Sequence, residues 1–292
     1  MGKLDIVHEL FGEQVYIKTK KLIMNMRTSK EVKKLRMANK KYYNIHNGKR
    51  CFILGNGPSL RDVDLSLLSD EIVFSCNNFA RVKNFQDAKP NYHLWVDEAF
   101  FEMRAENKMS HEELMYNYQA MAQVNPVCFV PMYGKKYLHE NKIDDMLNIN
   151  YFDIFEWIRD GEKVLCDLDE YITGFTTVVQ YAVVIAIYMG FKEIYLLGCD
   201  STNILAMLNI AMDIENKEIH AYDTDDAKER YTRLLKKWNI ADLFRDQYTF
   251  FLGYRMLNAE CIRRGIVFKN LSEVTLIDEV ERDCLANVLG DN

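Results

Sequence analysis

From Cys51 onward, short apolar runs of strand length alternate with stretches whose apolar residues recur at helical spacing. That alternation predicts an α/β protein: a Rossmann-like, largely parallel sheet with helices on both faces. The runs Cys51–Leu54, Ile72–Cys76, His93–Val96, Val127–Val130, Ile194–Leu197 and Val267–Lys269 are the expected strands. Helices are expected over Leu60–Leu68, Ala99–Asn107, His111–Ala122, Lys136–Met146, Thr176–Met189 and Phe250–Arg264, with Gly190 and Gly265 stopping the last two. Residues 201 to 245 break the rhythm, being methionine-rich and apolar first and densely charged later. They are expected to form a lid over a ligand or a helical hairpin covering the sheet edge.

Charge changes the picture at the N-terminus. Residues 18 to 50 hold twelve Lys or Arg against a single acid, Glu31, so the net −6 of the chain leaves about −17 on the rest. A basic helical extension over 1–48 is therefore expected before an α/β domain over 49–292 with its lid at about 201–245. Such an arm suits an anionic membrane surface or acceptor, or the acidic body of its own or a neighbouring subunit. Nucleic acid is not expected, because the chain is acidic and carries no recognisable motif for it. No stretch approaches the roughly 20 apolar residues that span a bilayer. The expected location is cytoplasmic, with peripheral contact at the inner face of the membrane as an option. Seven scattered cysteines without a Cys-x-x-Cys pair read as reduced core residues.

Candidate chemistry gathers where the apolar runs end. Ile53-Leu-Gly-Asn-Gly-Pro-Ser-Leu60 is a strand emptying into a glycine-bracketed turn. Gly55 and Gly57 permit close approach of a ligand, and Asn56 and Ser59 supply hydrogen-bonding groups. The same residues also describe an ordinary strand-to-helix turn opened by Pro58 and capped by Ser59. Asn77 and Asn78, Asp97, and Asp200 follow later strands, and in a parallel sheet all these ends share one rim. The Thr173-Gly-Phe-Thr-Thr177 run precedes the clearest helix, so Thr176 and Thr177 are placed to meet a phosphate, while Thr173 or Thr176 is expected to cap. Among the six histidines, His220 in the lid is the expected general base and His93, inside a strand, a structural residue. Asp223-Thr224-Asp225 matches an Asp-x-Asp metal motif but also reads as a solvated helix start, and no resident metal is expected.

The motifs Ile53–Leu60, Cys76-Asn-Asn-Phe79, Asp97 with Phe100 and Phe101, and Thr173 to Asp200 resemble the bacterial sialyltransferases of glycosyltransferase family 42 and the flagellin glycosyltransferases called motility-associated factors. The likeness covers roughly Cys51 to Asp200. It implies transfer of a sialic or other nonulosonic acid from a CMP-activated donor to a glycan or lipid-linked acceptor, with no cofactor and in a homo-oligomer. It further implies donor contacts from Asn56, Gly57, Ser59, Asn77, Thr176 and Thr177. Asp97 stands where the sialyltransferases carry asparagine. A family histidine slot falls near Tyr248, leaving His220 as the substitute base and Tyr222 as phosphate partner. The same glycine loop occurs in pyrophosphokinases acting on hydroxymethylpterin, which keeps a magnesium-dependent reading with Asp97, Asp200 and Asp223 open. A non-catalytic nucleotide-sugar-binding module is the third reading.

Overall fold

The computed structural model describes residues 3–103, 109–212, 221 and 239–290, the side chains of 3–9, 210 and 211 excepted. Its strands are β1 (Arg50–Leu54), β2 (Val73–Cys76), β3 (Tyr92–Leu94), β4 (Val127–Pro131), β5 (Asn148–Phe152), β6 (Ile154–Trp157), β7 (Ile172–Gly174), β8 (Glu193–Leu197), β9 (Val267–Asn270) and β10 (Glu281–Arg282). Eight of them form one sheet in the order β10-β9-β8-β1-β2-β3-β4-β5, and β6 with β7 makes a separate ribbon. Every pairing in the large sheet is parallel. The helices are α1 (Lys3–Arg27), α2 (Lys30–Met37), α3 (His111–Val124), α4 (Lys135–Glu140), α5 (Val178–Tyr188), α6 (Asn203–Ala211), α7 (Ile240–Arg263) and α8 (Leu285–Leu289).

The two-residue period of an extended strand explains why both faces are apolar. Cys51 and Ile53 join the core that contains α5 and α7 residues, whereas Phe52 and Leu54 join a second core with Leu68, Tyr118 and Met121. The expected doubly covered sheet is thus present. Every residue of α5 is buried, as its apolar sequence, interrupted only by Gln180 and two tyrosines, requires of a helix enclosed between a sheet and another helix. Its one amide, Gln180, donates to the Phe250 carbonyl of α7 at 2.8 Å. Gly253 gives it room, since a Cβ there would lie 2.3 Å from Gln180 Nε2.

Several expectations change. The helix expected at Leu60–Leu68 is two short 3-10 turns, Pro58–Asp62 and Leu65–Leu68, because Asp64 between them is extended and caps the second through the Ser66 amide. Ala99–Asn107 reduces to a 3-10 turn, Glu98–Phe101, among the described residues. Lys136–Met146 shortens to α4. The helix expected from Phe250 starts at Ile240, where Asn239 accepts from the Asp242 amide. Gly190 and Gly265, both at positive φ, follow α5 and α7 as expected. All seven cysteines are free and all but Cys284 are buried.

The basic arm lies on the acidic body of its own chain. Lys20 pairs with Glu156, Lys21 with Glu170 at 2.7 Å, and Arg36 with Asp153 at 3.1 Å. Arg36 is only 4% exposed, and its guanidinium stacks over Tyr171 at 4.1 Å. Asn39 and Tyr42 are buried as well, so the stretch assigned to an extension up to residue 48 enters the main core before β1 begins.

Candidate functional site

The chain reverses direction across the sheet between β1 and β8: β2 to β5 lie on one side of β1, and β8, β9 and β10 on the other. In open α/β sheets the crevice at the carboxyl ends of such a pair is the place where ligands bind. The two loops there are welded together. Gly55 N–H donates to the Leu197 carbonyl and Gly57 N–H to the Gly198 carbonyl, each at 2.7 Å. A Cβ on Gly55 would lie 2.3 Å from the Gly198 oxygen, and one on Gly57 would lie 2.6 Å from an Asp200 carboxylate oxygen. The approach of the β8 loop by itself therefore requires glycine at both positions.

Ser59 and Asp200 hold the same weld. The Ser59 amide donates to Asp200 Oδ2 at 2.8 Å and its hydroxyl to Oδ1. Burial raises the Asp200 carboxyl pKa, and the Ser59 hydrogen bonds oppose that shift. These two side chains, expected to contact the donor, contact each other. From there a series of links runs along the rim. Asn56 Nδ2 donates to the Cys76 carbonyl at 2.9 Å, the Val96 amide donates to Asn77 Oδ1 at 3.3 Å, and the Tyr133 hydroxyl donates to the Val96 carbonyl. The ends of β8, β1, β2, β3 and β4 are tied in sequence. Asn77 has φ +48°, a conformation that asparagine tolerates better than most residues. Asp97 is committed locally, accepting from the Ala99 amide at 3.0 Å.

The start of α5 lies at the same carboxyl end of the sheet, because α5 delivers the chain to the amino end of β8, which runs parallel to β1. Thr177 occupies the N-cap position without a side-chain hydrogen bond. Neither expected cap is used: Thr173 Oγ1 accepts from the Leu165 amide at 2.8 Å, and Thr176 is exposed, with its hydroxyl 3.4 Å from Gln180 Oε1. The first amides of α5 thus have no side-chain cap from Thr177, in a position suited to an anion.

His220, Tyr222, Asp223 and Asp225 lie outside the described residues. Ala221, between the first two, is described. Its amide donates to the Asn56 carbonyl at 2.9 Å, and its carbonyl accepts from Arg61 Nε at 2.7 Å. Asn56 Oδ1 is buried with no hydrogen-bond partner among the described residues. Sequence reasoning missed Arg61 and the Ala221 anchor, because neither residue type announces a contact 160 positions away.

His93 is structural, as expected. It is fully buried, its Nδ1 lies 2.7 Å from Ser75 Oγ, and its ring meets Trp95 at 4.2 Å. Burial drives its pKa from 6.5 down to about 3, so it is neutral in the fold and becomes charged only on unfolding below 6.5. Its stabilising contribution is complete above pH 6.5 and is lost on acidification, at about 1.4 kcal/mol per pH unit. His93→Gln is expected to flatten the acid limb of stability measured by urea unfolding at pH 7 to 4; an unchanged slope would contradict the assignment. His46 is partly buried and shares a 2.6 Å hydrogen bond with Tyr92. Tyr248 sits within α7, exposed, with its hydroxyl 3.4 Å from Asp160.

Fold and rim together define a doubly wound α/β protein whose β1 and β8 loops meet at its topological switch point. The chain belongs to the family described as 6-hydroxymethylpterin diphosphokinase MptE-like, whose model matches residues 20–204. Its fold is similar to that of the sialyltransferase CstII from Campylobacter jejuni in complex with cytidine-5'-monophosphate, at 18% identity over 84% of this chain and 88% of that one, with a TM-score of 0.46. The monofunctional alpha-2,3-sialyltransferase Cst-I from the same organism gives 17% identity, coverages of 84% and 83%, and a TM-score of 0.48. CST-II in complex with trisaccharide acceptor and CMP gives 19%, coverages of 84% and 88%, and 0.43. No curated protein sequence matches.

Proposed function

We propose that the chain is a glycosyltransferase that moves a sugar, sialic or another nonulosonic acid, from a CMP-activated donor to a glycan or lipid-linked acceptor. The observation that carries this reading is the hydrogen bond from Ala221 to the Asn56 carbonyl. It anchors Ala221 on the glycine loop at the switch point, and the reading takes its sequence neighbours His220 and Tyr222 as the acid-base candidates of that loop. Asn56 Oδ1, without a hydrogen-bond partner among the described residues, accepts from the nucleotide, with Asn77 and Asp97 further along the rim. The phosphate faces the first amides of α5 and the hydroxyls of Thr176 and Thr177. Gly55, Gly57, Ser59 and Asp200 act one layer behind, holding the loop's course.

As the bond from the anomeric carbon to the phosphate oxygen breaks, its electron pair leaves with CMP and positive charge develops on the sugar. The helix amides and the Tyr222 hydroxyl stabilise the departing phosphate. His220 takes the proton of the acceptor hydroxyl as its oxygen bonds to the anomeric carbon.

The family description favours a second reading, a magnesium-dependent diphosphokinase acting on a hydroxymethylpterin. Among the described residues the side chains do not fit it well. Both Asp200 oxygens are engaged by Ser59, Asp97 caps its own turn, and no group of three His, Cys, Asp or Glu is arranged to hold a metal among the described residues. Thermal unfolding with CMP, CDP or ATP, each with magnesium or with chelator, separates the two. CMP is expected to stabilise without magnesium, by about 2.7 kcal/mol at a hundredfold excess over its Kd, and Asn56→Ala to abolish most of that gain. Stabilisation by ATP only with magnesium would reverse the assignment.

A further inference from the structure

We propose that the outward face of α1 docks on an anionic lipid bilayer, an inference independent of the sugar-transfer reading. The inner side of this helix is settled on the body: Tyr16 is buried, and its hydroxyl donates to Glu156 at 2.8 Å, while Lys20 and Lys21 form the ion pairs described above. The outer side is apolar. Val15, Leu22 and Met26, spaced seven and four apart, are 44%, 62% and 77% exposed, on the far side from Ile17, Lys20 and Met24. Beyond the bend at Gly12, Leu10 and Phe11 extend the same apolar character at 70% and 65% exposure.

Charge selects the occupant. Lys18, Arg27, Lys30, Lys34, Lys40 and Lys41 are all exposed on or after this helix, and none has a carboxylate within ion-pair distance among the described residues. Over residues 10 to 41 the acids are Glu13 and Glu31, and both are engaged: Glu13 accepts from the Lys163 amide, and Glu31 pairs with Lys135 at 2.6 Å. A second copy related by a two-fold axis through this face would set lysines against lysines. An anionic bilayer accepts both the lysines and the apolar stripe, as expected of a helix lying in the interface plane. Trp157 stands beside α1, next to the Glu156 that anchors it, and is 62% exposed. Tryptophan is the residue that favours the headgroup region. No helix among the described residues is long and apolar enough to cross a membrane, so the contact is one of lying on the surface.

The test is flotation of the full chain with vesicles of phosphatidylcholine alone, or with roughly one-third phosphatidylglycerol, at low and high salt. Flotation is expected with the anionic vesicles only, weakened by salt. Two variants that leave the docked side of α1 untouched, Leu22→Glu/Met26→Glu and Lys18→Glu/Lys30→Glu, are each expected to lower partitioning about tenfold or more with unchanged thermal melting. Absence of flotation with anionic vesicles, or equal flotation of wild type and both variants, would overturn the proposal. So would a dimer in sedimentation velocity that the Leu22→Glu/Met26→Glu pair dissolves while vesicle binding is absent, which would assign the face to a second copy.

Discussion

Gly55→Ala is expected to destabilise the protein by about 3 kcal/mol or more, the scale of a substitution that forces backbone apart in a packed core. The added methyl would sit 2.3 Å from the Gly198 oxygen and 2.9 Å from Cys199 Sγ, and neither neighbour is free to retreat. The Cys199 amide donates to Ser272 Oγ at 2.8 Å, and its carbonyl accepts from Thr275 Oγ1 at 2.9 Å. Relief would require separating the β1 and β8 loop ends, breaking the two 2.7 Å backbone hydrogen bonds between them. Urea unfolding measures the effect. A loss below about 1 kcal/mol, the centre of the distribution for arbitrary substitutions, would mean that the two loops do not meet as described.

His220→Ala is expected to lower kcat for donor turnover by a factor of about 100 to 10,000, the range that a positioned general base contributes, while leaving stabilisation by CMP intact. That split follows from the proposal: the nucleotide contacts are assigned to Asn56, Thr176 and Thr177, whereas the proposed base would act on the acceptor. Tyr222→Phe tests the other neighbour of Ala221, because it removes the hydroxyl proposed to meet the leaving phosphate without removing the ring. Turnover in His220→Ala equal to wild type would eliminate this histidine as the base, and CMP thermal shifts measured on the same variant would show whether the donor pocket survives that result.

Much of the fold was legible because parallel strands covered on both faces are apolar without interruption. Cys51–Leu54, Val127–Val130 and Ile194–Leu197 announce themselves in this way. β5 was not legible: Asn148-Ile-Asn-Tyr-Phe places asparagine at alternate positions, as an edge strand can, and reads locally as a turn. β10 has two residues and exists only by pairing with β9. The polar rim was anticipated in place but not in bonding. Nothing near Ser59 indicates that its hydroxyl belongs to Asp200, because that contact is made by the fold across 141 positions. The glycines were read as room for a ligand, and the demand that Gly198 and Asp200 themselves make on that room was not visible. The early start of α7 was missed because Asp242, Arg245 and Asp246 dilute its apolar spacing until Phe250.

The chain of side-chain clasps from Asp200 through Asn56 and Asn77 to Tyr133 has a thermodynamic consequence. Five neighbouring strand termini are cross-braced before any guest arrives, so binding there demands little further immobilisation of main chain. Guest-free and guest-bound frames should superimpose at this edge, and discrimination between guests then rests on the few atoms that the bracing leaves unclaimed.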